Sequence, residues 1–427
     1  MQRVNRTART TCARLWVLSL CIVSSWFLAD LTYAHPKTIK SGPYIQALGA
    51  NGVEVRAELD SPAPLELTVG GPGTGETPLT SAAATMHVVS VRGLQPRTRY
   101  TYGVSVSGAK VEGAFVTAPA ETATEPFTAL LYGDNRTDDE AHALVVREMV
   151  RTPSDLLLHT GDFVGDSRRS EEWVRFFSIE QPLLRDRCVF AAIGNHDLID
   201  DGDAYKRYFG ALNWTMRWQF VRFWFVNAMD ESPTGWLLRD LAAHDGEAGV
   251  LWRVIVLHQG PYASGPHGAN DVITSKVVDE WRAHKVDLAL SGHDHIYERG
   301  YARGLGYVVS GGGGAPPYRI DSVLATSRKA EASRHFVELR FAPDDIRLLA
   351  HRADGTPIEE RTFLRGRGWD EETAGPKNLA GDGPKPSSEE RNEKKGGPGN
   401  VIAAVAGAGV LGLLILALRR RYGSGKS

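Results

Sequence analysis

Cysteine is nearly absent from the body of this 427-residue chain. Of its three cysteines, Cys12 and Cys21 lie in the N-terminal leader-like region, leaving Cys188 alone. A disulfide within the body is thereby excluded, and Cys188, which opens an apolar run, reads as a small core residue. Charge of one sign is not in surplus either: 49 Lys and Arg face 51 Asp and Glu, a formal net charge of −2. With no basic excess, nothing marks nucleic acid as the main partner. What is present is ordinary for a globular protein, 42% hydrophobic and 23% charged residues, in a length that allows two or three domains.

Both ends carry membrane signals. Arg3, Arg6, Arg9 and Arg14 precede an apolar stretch from Leu15 to Ala29, and Thr32-Tyr33-Ala34 offers small residues for cleavage before His35. Residues 1–34 thus read as a signal peptide or an uncleaved anchor. Cys21 follows Leu20 rather than a small residue, which disfavours a lipoprotein site. At the other end, residues 401–418 carry no charge and are just long enough to span a bilayer. Arg419, Arg420 and Arg421 follow at once. They place a short tail, 419–427, inside and the body outside. Residues 365–400, rich in Gly, Pro, Lys and Glu, read as a flexible stalk. The expected location is across and anchored to the cytoplasmic membrane, with the body outside.

The body divides in two. Between residues 41 and 119, the runs Val53–Ala57, Leu65–Val69 and Tyr100–Val104 alternate and are separated by Gly/Pro turns, the pattern of a β-sandwich. Leu94 to Tyr100 is similar to the tyrosine-corner segment of fibronectin type III modules. From about 125 to 364, strand and helix patterns alternate, implying an α/β domain. Thr137-Asp138-Asp139-Glu140 reads as a capping box opening a helix to Met149. Ser170 to Gln181 reads as an amphipathic helix stopped by Pro182, and Trp236 to Leu241 as another helix. His335 to Phe341 and Asp345 to His351 read as antiparallel strands.

Five apolar runs in the α/β part end in metal-type residues. They lead into Gly133-Asp134-Asn135-Arg136, His159-Thr160-Gly161-Asp162, Gly194-Asn195-His196-Asp197, His258-Gln259-Gly260 and Gly292-His293-Asp294-His295. Any one block alone is more simply a turn, or a hydrogen-bonded histidine. Five in order, each at a strand end, form a site where ligands collect in α/β sheets. On an alternating strand, His293 and His295 point the same way. Carboxylate oxygens with imidazole nitrogens suit Mn, Zn or Fe.

These blocks resemble the metallophosphoesterase (calcineurin-like) superfamily, and most of all its purple acid phosphatase branch. Gly292-His293-Asp294-His295-Ile296-Tyr297-Glu298-Arg299 is similar to that branch's Gly-His-x-His-x-Tyr-Glu-Arg, and Gly42-Pro43-Tyr44-Ile45-Gln46 to the opening of its N-terminal domain. The resemblance implies an α/β sandwich of two mixed sheets flanked by helices, holding two divalent or trivalent ions. It places the first ion on Asp134 and His295, makes Asp162 a bridge, and gives the second to Asn195, His258 and His293. His196 becomes a proton donor or phosphate contact oriented by Asp197, and His267, in a Gly/Pro-rich loop, a substrate contact. Two cations roughly 3.5–4 Å apart clamp phosphate oxygens and turn a bridging water into hydroxide, which attacks phosphorus in line, while a histidine protonates the leaving oxygen.

The chain departs from the family at two ligands. Arg136 stands where most members have a metal histidine, and Gly165 where purple acid phosphatases have their colour-giving tyrosine. Asp134, Asp162 and His295 remain for the first ion, with water or Asp166 to complete it. Arg136 reads as a phosphate clamp, or else as a surface partner of Asp138 or Asp139. His267 reads equally as an exposed loop histidine, and His142, His159, His244 and His284 as structural. The expected function is hydrolysis of small phosphate esters. Diester or nucleotide hydrolysis is the alternative within the class. A surface binding or adhesion protein with a vestigial metal site is the alternative outside it.

Overall fold

The computed structural model describes residues 39–75 and 77–370. The expected leader, membrane span and tail lie outside these residues, as does the expected stalk beyond residue 370. Its first residues, 365–370, are described and include a buried strand at Gly368–Trp369, so the folded part runs further than expected. Among the described residues no helix is long and apolar enough to cross a membrane.

The N-terminal part is antiparallel. Strands β1 (Ile39–Gln46), β2 (Gly52–Gly70), β3 (Leu79–Arg92), β4 (Arg99–Val106) and β5 (Ala109–Val116) form one hydrogen-bonded sheet of order β1-β2-β4-β5, with β3 also paired to β2. The runs Val53–Ala57 and Leu65–Val69, expected as separate strands, both fall in β2. Pro62 and Pro64 lie between them, and the pairing with β3 shifts register there, so the strand bends without ending. The Tyr100 hydroxyl accepts a bond from the Gln95 amide at 2.9 Å and donates to the Pro72 carbonyl at 3.0 Å.

Two seven-stranded mixed sheets make up the rest. One has β6 (Phe127–Tyr132), β7 (Leu156–His159) and β8 (Val189–Ala191) parallel at its edge. In the other, β9 (Trp214–Trp218) and β10 (Val221–Val226) lead into β11 (Trp252–Leu257) and β12 (Leu288–Ser291). β13 (Tyr297–Ala302), β14 (Leu305–Ser310) and β15 (Ser327–Glu331) complete that second sheet, in the order β15-β13-β14-β12-β11-β10-β9. β16 (His335–Phe341), β17 (Asp345–Arg352), β18 (Pro357–Leu364) and β19 (Gly368–Trp369) return antiparallel to the first sheet, giving β19-β18-β17-β16-β6-β7-β8.

Side-chain alternation explains the layering. Ala129, Leu131, Leu156 and Leu158 face Phe223, Phe225, Val254, Val256, Leu288 and Leu290 in one core between the sheets. Their neighbours Leu130, Tyr132 and Leu157 point the other way, against helices α1 (Asp139–Arg151) and α2 (Ser170–Leu184). On the second sheet Trp224, Val226, Ile255 and Leu257 pack outward under the helices at Trp236–Ala243, Asp271–Lys276 and Val278–Ala283. The two mixed sheets flanked by helices match the expected α/β architecture.

Two helix boundaries differ from expectation. Asp138, not Thr137, caps α1, its carboxylate accepting from the Ala141 amide at 3.0 Å, because Thr137 is held at φ 75°. Pro182 sits inside α2, which runs on to Leu184. In the final turn proline removes one backbone bond without breaking the helix.

His335 is fully buried, its Nδ1 bonded to the Ser333 carbonyl at 2.8 Å. Burial pushes its pKa down to about 4. The unfolded chain takes up the proton near pH 6.5 and the folded chain only near 4. Stability from this site is therefore full above 6.5 and lost as pH falls toward 4. Chemical denaturation at pH 7 and pH 4 should show the parent chain losing about 3 kcal/mol more than His335→Gln. Equal losses would contradict this.

Candidate metal centre

The strand ends deliver their blocks to one place. Asp134, Asp162 and His293 all adopt left-handed backbone, at φ 58°, 59° and 71°. Strain of this kind turns side chains sharply out of a strand and concentrates at functional sites. His293 and His295 accordingly sit in the turn after β12, not on a strand with alternating faces. Two glycines permit the close approach. A Cβ on Gly194 would lie 2.1 Å from Asp162 Oδ1, and one on Gly292 would lie 2.4 Å from Asp134 Oδ2.

Asp134, Asp162 and His258 are fully buried, with one ligand atom of each within 4.8 Å of the others. Asp162 Oδ2 lies 3.4 Å from His258 Nε2 and accepts from Arg136 Nε at 3.1 Å. Asp162 Oδ1 accepts from the His196 amide at 3.0 Å. His258 Nε2 meets His293 Nδ1 at 3.2 Å. His295 Nε2 lies 3.6 Å from Asp134 Oδ1, whose other oxygen accepts from the His293 amide at 3.0 Å. Asn195 stands between Gly194 and His196, both of which touch Asp162.

The ring tautomers are set from behind. His258 Nδ1 donates to the Thr160 carbonyl at 2.9 Å, and His295 Nδ1 to the Pro316 carbonyl at 3.0 Å. Each bond leaves Nε2 facing the site, the arrangement of metal-binding histidines. Asp134 Oδ1 and His295 Nε2 are buried with no hydrogen-bond partner. Orphaned donor atoms of this kind, an oxygen and a nitrogen side by side, fit a cation.

Electrostatics agree. Burial pushes Asp134 up to about 7, helped by the Asp162 charge. On Asp162 burial acts upward too, but His258, His196 and Arg136 outweigh it and hold the carboxyl well below its ordinary range. Burial pulls His258 downward, yet Asp162 and Asp134 raise it to about 9. Burial, then the neighbouring His258, keeps His293 well below 6.5. Burial, then Arg136, does the same for His295. His293 and His295 are thereby held neutral, the form in which an imidazole nitrogen binds a metal.

Several expected roles change. Asp197 does not orient His196. Its carboxylate accepts from the backbone amides of Asp162, Phe163 and Gly194 at 2.7, 3.0 and 2.9 Å, so it ties the second block to the third. The His196 ring is oriented by the Gly165 carbonyl, which accepts from Nδ1 at 2.7 Å. Asp166 is paired with Arg168, at 2.9 and 2.7 Å. Arg136 is buried, its Nε bonded to Asp162, and so is not the surface residue of the alternative reading. His267 is buried, its ring 4.2 Å from that of His293.

Tyr318 escaped the sequence reading. Its ring stacks on His295 at 4.0 Å and 15°, and its hydroxyl lies 3.4 Å from His267 Nε2. It lies beyond the five blocks, where only its aromatic character marked it. Of the histidines read as structural, His142 pairs with Glu180 at 2.8 Å and His159 bonds the Asn135 side chain behind the site.

Residues 133–297 match the family model of the calcineurin-like phosphoesterases. That segment, which spans all five blocks and runs on to Tyr297, is what this chain shares with the superfamily. Purple acid phosphatase 7 of Arabidopsis thaliana is 29% identical over 83 residues, 19% of this chain and 25% of that protein. The chain thus matches only a quarter of that relative's length. Among solved structures, purple acid phosphatase PPD1 from yellow lupin (Lupinus luteus) seeds superposes with a TM-score of 0.64. Its identity is 18%, covering 76% of this chain and 74% of that one. PhoD superposes with a TM-score of 0.64 at 11% identity, covering 84% and 97%. At these identities the superpositions establish the fold.

Asp197→Ala should strand three buried amides and cost on the order of 3 kcal/mol in denaturant unfolding. A loss below about 1 kcal/mol would show that Asp197 does not hold the two blocks together.

Proposed function

We propose that the chain is a metal-dependent phosphoric ester hydrolase acting outside the cytoplasmic membrane. The observation that carries this reading is the buried convergence of Asp134, Asp162 and His258, with Asp134 Oδ1 and His295 Nε2 unpartnered beside it. The family resemblance supports two positions: Asp134, Asp162 and His295 for one ion, and Asp162, Asn195, His258 and His293 for the other. Mn, Zn or Fe suits this mixture. When bound, such ions supply Lewis-acid charge to phosphate oxygens and an acidic water.

The chain's own residues supply the rest. Arg136 presents a planar cation beside the site, suited to phosphate oxygens. His196, fixed through Nδ1, turns Nε2 inward within 4.0 Å of Asp162 Oδ2. That places a proton-transfer group where a leaving alkoxide needs one. His267 and Tyr318 form a wall over His293 and His295. His267 is the group that contacts substrate there.

The substrate is a small phosphate ester. Diesters and nucleotides are the alternative within the class. A vestigial site on a surface-binding protein accords poorly with a full donor set kept buried at strained backbone positions. The arginine and apolar patterning of residues 1–34 and 401–427 supports export and anchoring.

The purified chain supplied with Mn or Zn should hydrolyse p-nitrophenyl phosphate or its bis ester. Asp162→Asn should reduce kcat at least about 1,000-fold, a loss of roughly 4 kcal/mol of transition-state stabilisation. Absence of turnover with every divalent ion in a folded protein, or an active Asp162→Asn variant, would overturn the reading.

A further inference from the structure

The two proposed ion positions are not equivalent, and Arg136 is the reason. The second position draws on Asp162, Asn195, His258 and His293. Among the described residues the first draws on Asp134, Asp162 and His295 alone. Gly165 offers no side chain there, and the Asp166 carboxylate is engaged by Arg168. A first ion would also share Asp162 Oδ2 with a guanidinium already bonded to it at 3.1 Å, both groups being buried. A cation and an arginine on one carboxylate oxygen, shielded from water, repel each other strongly.

Arg136 has somewhere else to go. It lines a cavity of about 350 Å³ together with Thr137, Asp139, Gly165, Glu172 and Arg175. Two of those walls carry carboxylates, Asp139 and Glu172, which a second guanidinium would share with Arg175 and Arg169 at 3.4 and 3.3 Å. The guanidinium can leave Asp162 without leaving the protein.

We infer that Arg136 and the first ion are alternative occupants of Asp162 Oδ2, so that this chain holds one ion tightly and the other weakly. The inference rests on the metal-dependent reading above. The tight ion lies on Asp162, Asn195, His258 and His293. The weak one lies on Asp134, Asp162 and His295, and its arrival frees Arg136. Displacement needs no bond-making chemistry: a charge on Asp162 is exchanged for another, and the guanidinium turns toward the cavity.

Mn²⁺ titration of the full-length chain by calorimetry, with metal content read by mass spectrometry after dialysis, tests this without any assay of activity. The parent chain should bind one equivalent tightly and a second at least tenfold more weakly, keeping only the first through dialysis. Arg136→Met, which removes the charge and adds no ligand, should tighten the second equivalent at least tenfold. Arg136→Gln serves if the methionine variant fails to fold. Asp134→Asn should abolish the weaker equivalent and keep the tighter one. Two equivalents of equal affinity in the parent chain would overturn the inference. So would an unchanged weaker equivalent in the folded Arg136 variant, or loss of the tighter one in Asp134→Asn. Each of those results leaves the metal-dependent reading standing. No Mn²⁺ bound by the folded parent chain removes that reading and the inference together.

Discussion

Asp162 carries its charge with no exposed surface, and the rest of the site is arranged around that fact. A buried carboxylate survives ionised only if hydrogen bonds and countercharges offset its lost hydration. The His196 amide, Arg136 and His258 provide them directly, while Asp197 fixes the backbone on which Asp162 stands. The partners come from the ends of β6, β8 and β11, so one side chain couples both sheets. Asp134, Asp162 and His293, which meet there, all leave regular strand geometry for left-handed backbone.

Charge complementarity also explains why the neighbouring groups shift in opposite senses. Asp134 is driven toward the neutral form by burial and by Asp162, whereas His258 is driven toward the charged form by both carboxylates. A cation between them would reverse both tendencies at once, leaving Asp134 ionised and His258 neutral. The scaffold, two interdigitated sheets with an apolar core, is stiff enough to hold the donors in place.

Much of this was legible in the sequence because it depends on local pattern. The strand ends, the glycines before the ligands and the order of the five blocks are all written in short runs. The contacts made across the chain were not. Asp197 looked like the partner of its neighbour His196, but three amides brought from two blocks capture it first. Arg136 looked like a surface residue or a substrate clamp, because nothing within its own block shows that Asp162 lies 3.1 Å away. Tyr318 carried no motif at all. Its role comes from the Pro316 carbonyl and its own ring closing over His295 from 21 and 23 residues downstream. Pro182 misled in the other direction, since the rule that proline stops helices holds for interiors and not for a last turn.

The N-terminal sheet has a physical task even though it contributes none of the site's donors. β8, which carries Asn195 and His196 at its end, is three residues long and lies at the edge of its sheet. Short edge strands have unpaired backbone groups and little to hold their register. Gln46, at the end of β1, donates to the Val189 carbonyl of β8 at 3.0 Å. Tyr44 packs its ring 4.8 Å from Phe177 of α2, and the Tyr102 hydroxyl donates to the Arg185 carbonyl just after that helix at 2.8 Å. Arg207 and Tyr208, beyond the third block, are held by Glu58 of β2 at 2.6 and 2.7 Å. These contacts bracket β8 from before and after. They cover the edge that would otherwise fray, and so transmit the rigidity of the N-terminal sheet to the two residues that face Asp162 from the third block.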